Sequence, residues 1–157
     1  MKTTPPYYAN RPPTNNSCSL AVDRSILEHI TGRSYSWSEL EEMSGYSNEK
    51  SAWTIKAWTE LARQGFDIAM IEVFDYARYA QEGETYLKEL FTAEKLRWQL
   101  ENSNILDIRP LIPEFLKTVK YNCKSPLLDD IDNLLNEGYL VKVTLNSCIL
   151  NKTPGFI

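Results

Sequence analysis

Apolar residues recur along most of this chain at the three- and four-residue spacing of helices. Ser17 as N-cap and Gly32 as stop bound the first predicted helix. Its inward stripe consists of Leu20, Ile26, Leu27 and Ile30. A capping box of Ser36 and Glu39 starts a second, short helix that Gly45 ends. The pattern therefore predicts a helix-rich N-terminal part.

Strand-like alternation of apolar and polar positions occurs in two places, residues 66–73 and residues 139–145. A third predicted helix, at about residues 51–64, precedes the first of them. Between the two, residues 75–104 are polar and helix-forming, and a further helix is predicted near residues 112–119. Because a two-stranded sheet is marginal unless helices cover it, we predict an α+β fold in which helices pack on a small, incomplete sheet.

Length and composition limit the class of protein. A chain of 157 residues with 43% hydrophobic and 24% charged residues is ordinary for one globular domain. A net charge of −4 argues against a nucleic-acid partner, and no apolar run reaches the length of a membrane span. The N-terminus lacks the pattern of a secretory signal, and three widely spaced cysteines argue against a disulfide framework. We therefore expect a cytoplasmic protein.

Cys18 is the strongest candidate for chemistry, because it lies where a polar, Pro-rich arm turns into the first helix. The positive end of a helix dipole favours a thiolate. The one histidine, His29, follows eleven residues later on the same predicted helix, about 16 Å away at about 1.5 Å per residue and beyond hydrogen-bond reach. The alternative is a free cysteine that only packs. Cys123 and Cys148 lack partners at zinc-ligand spacing, so neither a metal nor a cofactor is predicted.

Three features together resemble the bacteriocin-processing cysteine peptidases, which form family thirty-nine of the cysteine peptidases. They are Cys18 opening a helix, Trp-Ser-Glu-Leu-Glu-Glu in the second helix, and an aromatic-rich third helix that closes with Gln-Gly-Phe before a strand. The resemblance covers about residues 7–73 and 125–157. It implies a papain-like fold with a small antiparallel sheet. After an extended arm over residues 1–16, one domain would span residues 17–157, with a helical insertion at about residues 75–122.

The resemblance implies peptide-bond hydrolysis with Cys18 as the nucleophile. The upstream Gln that contacts the oxyanion in the family has no match, because its position holds Pro12; Asn10 is the candidate replacement, with Asn15 and Asn16 as looser ones. In the family a His opens a later strand and an Asp or Asn follows. Neither has a counterpart here, so we expect a domain truncated before its catalytic His and inactive as this chain alone.

Two other functions were compared with the peptidase. A non-catalytic module of the same fold would bind a peptide or a protein partner, and the predicted strand at Tyr139–Leu145 would offer an edge for strand pairing. Trp53 and Trp58 would line a groove or, as we favour, belong to the core. A helix-turn-helix over Leu40–Leu61 is disfavoured, because its reading helix has few basic residues and the adjacent helix is acidic.

Overall fold

The computed structural model describes residues 4–9, 18–46, 50–51 and 53–145, and most of these are helical. The helices are α1 (Cys18–Thr31), α2 (Trp37–Ser44), α3 (Ile55–Arg63), α4 (Tyr76–Glu82), α5 (Glu84–Leu90), α6 (Ala93–Asn102), α7 (Ile105–Ile108), α8 (Ile112–Thr118) and α9 (Leu128–Asn136). The strands are β1 (Ala69–Glu72) and β2 (Lys120–Cys123). The chain divides into two compact units, Met1–Pro126 and Leu127–Ile157. An α+β fold is thus confirmed, whereas one papain-like domain over residues 17–157 stays a prediction.

Local signals set the helix ends near the start of the chain. The predicted capping box is formed: the Glu39 N–H donates to Ser36 Oγ at 3.2 Å, and the Ser36 N–H donates to Glu39 Oε2 at 2.8 Å. Helix α3 ends in a Schellman motif in which Gly65 has a φ of +95° and the Phe66 N–H donates to the Leu61 carbonyl at 3.1 Å. Gly45 is likewise the C-cap of α2, with a φ of +68°. The helix ends predicted at Gly45 and at about residue 64 are therefore confirmed.

Helix α3 starts later than predicted, at Ile55 rather than near Ser51. Ser51 instead forms a parallel bridge with Ser103. Its N–H donates to the Asn102 carbonyl at 2.7 Å, and its carbonyl accepts from the Asn104 N–H at 3.2 Å. These contacts hold Ser51 in an extended conformation, because both of its backbone polar groups are used outside a helix.

The sheet is parallel, so the antiparallel sheet expected from the resemblance is wrong. Strand β1 pairs with β2 in a register that matches Ala69 with Lys120 and Glu72 with Cys123. A parallel pair needs a long crossover, and helices α4 to α8 supply it. Strand β2 therefore lies at the end of the segment at about residues 75–122 that was predicted to be a helical insertion.

The strand predicted over residues 139–145 is also wrong, because these residues have no regular secondary structure. Leu140, Val143 and Leu145 are 39%, 50% and 64% exposed. Alternation favours a strand only where burial covers one face and a neighbouring strand takes up the hydrogen bonds. Leu140 moreover falls on the face that should be polar. The strand edge predicted for partner pairing at Tyr139–Leu145 is therefore not formed.

Two hydrophobic clusters fill the first unit. The larger consists of Ile55, Phe74, Tyr76, Tyr79, Tyr86, Leu87, Leu96, Ile105, Ile108, Ile112, Phe115 and Val119. The smaller consists of Leu20, Leu27, Tyr35, Leu40, Tyr46 and Leu61. Trp58 packs against both clusters and Trp53 against the larger, where its ring centroid lies 4.6 Å from that of Phe74. The assignment of both tryptophans to the core is confirmed.

Candidate functional site at the start of the first helix

Cys18 is the first residue of α1, a helix of 14 residues, and it is exposed. The first N–H groups of a helix have no partners within the helix, and the dipole adds a partial positive charge there. The first turn of α1 contains no acidic residue to oppose that charge. Cys18 therefore lies exposed at the electropositive end of α1, at the position where the sequence placed it.

His29 lies in the last turn of the same helix. The unbroken helix fixes its separation from Cys18 at eleven residues, which is about 16 Å at about 1.5 Å per residue. His29 Nδ1 is buried without a hydrogen-bond partner. The prediction that His29 cannot serve as the base for Cys18 is confirmed by this geometry.

The other predicted site residues lie outside the described part of the chain. They are the oxyanion candidate Asn10, its looser alternatives Asn15 and Asn16, and the predicted N-cap Ser17. Cys148 also lies outside it. Their roles therefore stay predictions from the sequence.

Residues 4–9 of the N-terminal arm are fastened to α1 by a contact that the sequence did not predict. The Tyr8 hydroxyl donates to Glu28, and the Arg24 guanidinium lies 4.1 Å from the centroid of the Tyr8 ring. Arg24 also lies 5.5 Å from the Trp37 ring centroid, and its Nε donates to Glu28 Oε1 at 3.0 Å. These contacts hold Tyr8 against the C-terminal half of α1; the residues that make them, hereafter the arm clamp, are Tyr8, Arg24, Glu28 and Trp37.

Glu28 is the centre of the arm clamp. Burial alone would raise the pKa of its carboxyl, but hydrogen bonds from Tyr8, the Tyr35 N–H, Arg24 and Ser34 together lower that pKa to about 2. The Tyr35 N–H lies 2.9 Å and Ser34 Oγ 3.0 Å from Glu28 Oε1. The ionised carboxylate thus joins the arm, α1 and the α1–α2 loop.

A second group of ionisable side chains lies where the two parallel strands end. Glu72 and Cys123 are register partners there. Burial raises the pKa of the Glu72 carboxyl, a hydrogen bond with Tyr76 partly opposes this, and Glu72 Oε1 is buried without a partner. Cys123 is exposed, with its Sγ 3.8 Å from the Val73 carbonyl. The sequence missed this group because it depends on β2.

Neither group has the composition of a metal centre. Within the described ranges, no three His, Cys, Asp or Glu side chains are grouped so as to hold a metal ion. Helices long and apolar enough to cross a membrane are likewise absent from those ranges.

No family model, no curated protein and no solved structure matches this chain. The resemblance to the bacteriocin-processing peptidases therefore stays a prediction from residue pattern. The structure contributes the position of Cys18, its distance from His29 and the arm clamp.

Proposed function

We propose that this chain carries the nucleophile of a cysteine peptidase-like domain of papain-like fold, with Cys18 as the attacking thiol. The observation that carries the proposal is an exposed thiol at the first position of a 14-residue helix whose first turn has no acidic residue. Reactive cysteines are found in such partly exposed, electropositive surroundings. The resemblance of residues 7–73 and 125–157 to the peptidase family supports the same assignment.

In the proposed reaction the Cys18 thiolate attacks a peptide carbonyl carbon, and the N–H groups of the first turn of α1 stabilise the oxyanion. The C–N bond then breaks, the acyl group stays on sulfur, and the amine leaves with a proton. Water hydrolyses the thioester and releases the acid. The leaving amine needs an acid to supply its proton, and the attacking water needs a base to accept one; His29 cannot serve as either at Cys18 across about 16 Å. The base would be a histidine outside this sequence, and the chain alone should not turn over peptides.

A peptidyl chloromethyl ketone tests the nucleophile without the missing base, because alkylation expels chloride and needs no proton delivered to a leaving amine. We expect mass spectrometry to find the label on Cys18 in the native chain and in Cys123→Ser, and to find none in Cys18→Ser. Cys123 is the matched control because it is likewise free and exposed but is the last residue of a strand. Label on either other cysteine, or no label, would overturn the assignment.

The second candidate function is a non-catalytic binding module. Trp53 and Trp58 do not support an aromatic peptide groove, since both pack on the core. The observation that favours binding is instead the exposure of large apolar side chains in the second unit, where Leu127, Leu128 and Leu135 are all more than half exposed. Surfaces of this kind mark interaction sites.

A further inference from the structure

We propose that the apolar side of α9 is a docking surface for a partner polypeptide whose own apolar residues are flanked by lysine or arginine. This inference deepens the second candidate function and does not depend on chemistry at Cys18. It rests on the exposure, the spacing and the charge of the residues of α9.

The apolar side chains of α9 form one continuous stripe, of which Leu128 and Leu135 are exposed and Ile131 and Leu134 are half-buried. Leu128, Ile131 and Leu135 follow the spacing of one helix face, and Leu134 extends it. Leu127, just before the helix, is 60% exposed, Leu128 is 78% exposed and Leu135 is 53% exposed. None of the residues of α9 is buried. An amphipathic helix of this kind gains stability by burying its stripe against another surface.

Hydrogen bonds at both ends of α9 stabilise the helix that bears this stripe. The Tyr139 N–H donates to the Leu134 carbonyl at 2.9 Å, and the Gly138 N–H donates to the Leu135 carbonyl at 3.0 Å, which forms a Schellman motif. At the other end, the Asp130 carboxylate accepts from the Leu127 N–H at 2.9 Å. Because the stripe belongs to a helix that is already capped, binding a partner loses less conformational entropy than binding a disordered segment would.

The charged residues beside the stripe indicate which kind of partner it would bind. At about 100° per residue, Asp130 and Asp132 border the stripe on its two sides. Asp129 and Glu137 add to the negative charge, and no lysine or arginine occurs before Lys142 in this unit. A second copy would place acidic borders against acidic borders, and an anionic bilayer would repel them as well. A partner with a basic rim meets opposite charges, while its apolar residues cover the leucines.

The probes are two short, fluorescein-labelled amphipathic peptides with the same leucines, one bearing lysine and the other glutamate. In fluorescence anisotropy we expect the leucine–lysine peptide to bind at least about tenfold more tightly than the leucine–glutamate peptide. Its affinity should fall in Asp132→Asn and should weaken as salt is added. Labelling at Cys18 is a separate readout, so failure here and failure of the peptidase proposal are distinguishable.

Matched substitutions locate the surface. Leu135→Glu should abolish binding of the leucine–lysine peptide, whereas Leu106→Glu should not, although Leu106 in the first unit is 50% exposed and Leu135 is 53% exposed. Leu128→Ser, at the most exposed position of the stripe, repeats the test in case Leu135→Glu loses helix content by circular dichroism. Equal binding of both peptides, no binding, equal loss in Leu106→Glu, or a dimer in sedimentation that Leu135→Glu dissolves would each overturn the proposal.

Discussion

The Glu28 carboxylate should make the stability of this chain depend on pH between about pH 4.5 and pH 2. Its pKa is about 2 in the folded chain, against an ordinary value of 4.5. Because the folded pKa is the lower one, the stabilisation is fully present above about pH 4.5 and is lost as the pH falls towards 2. The Glu28 side chain is 12% exposed and that of Arg24 is 18% exposed, so solvent screens this contact only partly.

The size of the effect follows from the shift. At 1.36 kcal/mol per pKa unit, lowering the pKa from 4.5 to about 2 corresponds to about 3 kcal/mol. Because Tyr8 lies partly at the surface, and solvent screens its share, we expect about 1–3 kcal/mol. Glu28→Gln keeps the size of the side chain but removes the charge that the four donors require. It should therefore lower the free energy of unfolding by about that amount at pH 7.

Urea unfolding followed by circular dichroism from pH 2 to pH 7 measures this free energy. The difference between the native chain and Glu28→Gln should be largest above about pH 4.5 and should shrink as the pH falls. The matched control is Glu60→Gln, since the Glu60 carboxylate is 43% exposed in its ion pair with Arg63 and should change stability by less than about 0.5 kcal/mol. A difference for Glu28→Gln that stays constant with pH would refute the role of the charge.

Four further substitutions test the packing, each by urea unfolding. Gly83→Ala should cost about 2–3 kcal/mol, because Gly83 combines a φ of +58° with a ψ of −127°, a conformation that residues with a Cβ avoid; Gly32→Ala, at a φ of +67° with open space, should cost only about 1 kcal/mol. Phe115→Ala leaves a cavity at a fully buried position in the larger cluster and should lower the free energy of unfolding by about 3–5 kcal/mol. Ser36→Ala removes a formed N-cap and should cost about 1 kcal/mol. Equal costs for the two glycines, or changes below about 0.5 kcal/mol at the others, would contradict these assignments.

The first three helices could be largely predicted from the sequence because their boundaries depend on local interactions. The capping box of Ser36 and Glu39 and the stop at Gly65 each involve residues only a few positions apart. Strand β2 could not be predicted, because Lys120–Cys123 is short and largely polar and is held by pairing with β1 across a long crossover. The strand predicted over residues 139–145 was wrong for the opposite reason. Their local pattern does favour a strand, but tertiary surroundings decide whether one forms.

In the candidate site too, the local features could be predicted from the sequence and the long-range contact could not. Cys18 at the start of α1 and its separation from His29 follow from the length of one helix, so the sequence was sufficient. The i,i+4 spacing of Arg24 and Glu28 was also readable as an ion pair. The contact of Tyr8 with Glu28 was not, because it joins residues twenty positions apart and no local pattern encodes which aromatic residue of the arm will dock.

The measurement that tests the central claim most directly is the rate of iodoacetamide alkylation at each cysteine, followed by peptide mass spectrometry in the folded chain and in concentrated urea. A helix terminus contributes about 0.3–1 kcal/mol to a thiolate, so Cys18 should react about two- to fivefold faster than Cys123 when the chain is folded. The ratio should fall towards one in urea, where α1 is lost. If Cys18 reacts no faster than Cys123 in the folded chain, or if the ratio is the same in urea, α1 does not activate Cys18 and the proposed nucleophile is contradicted.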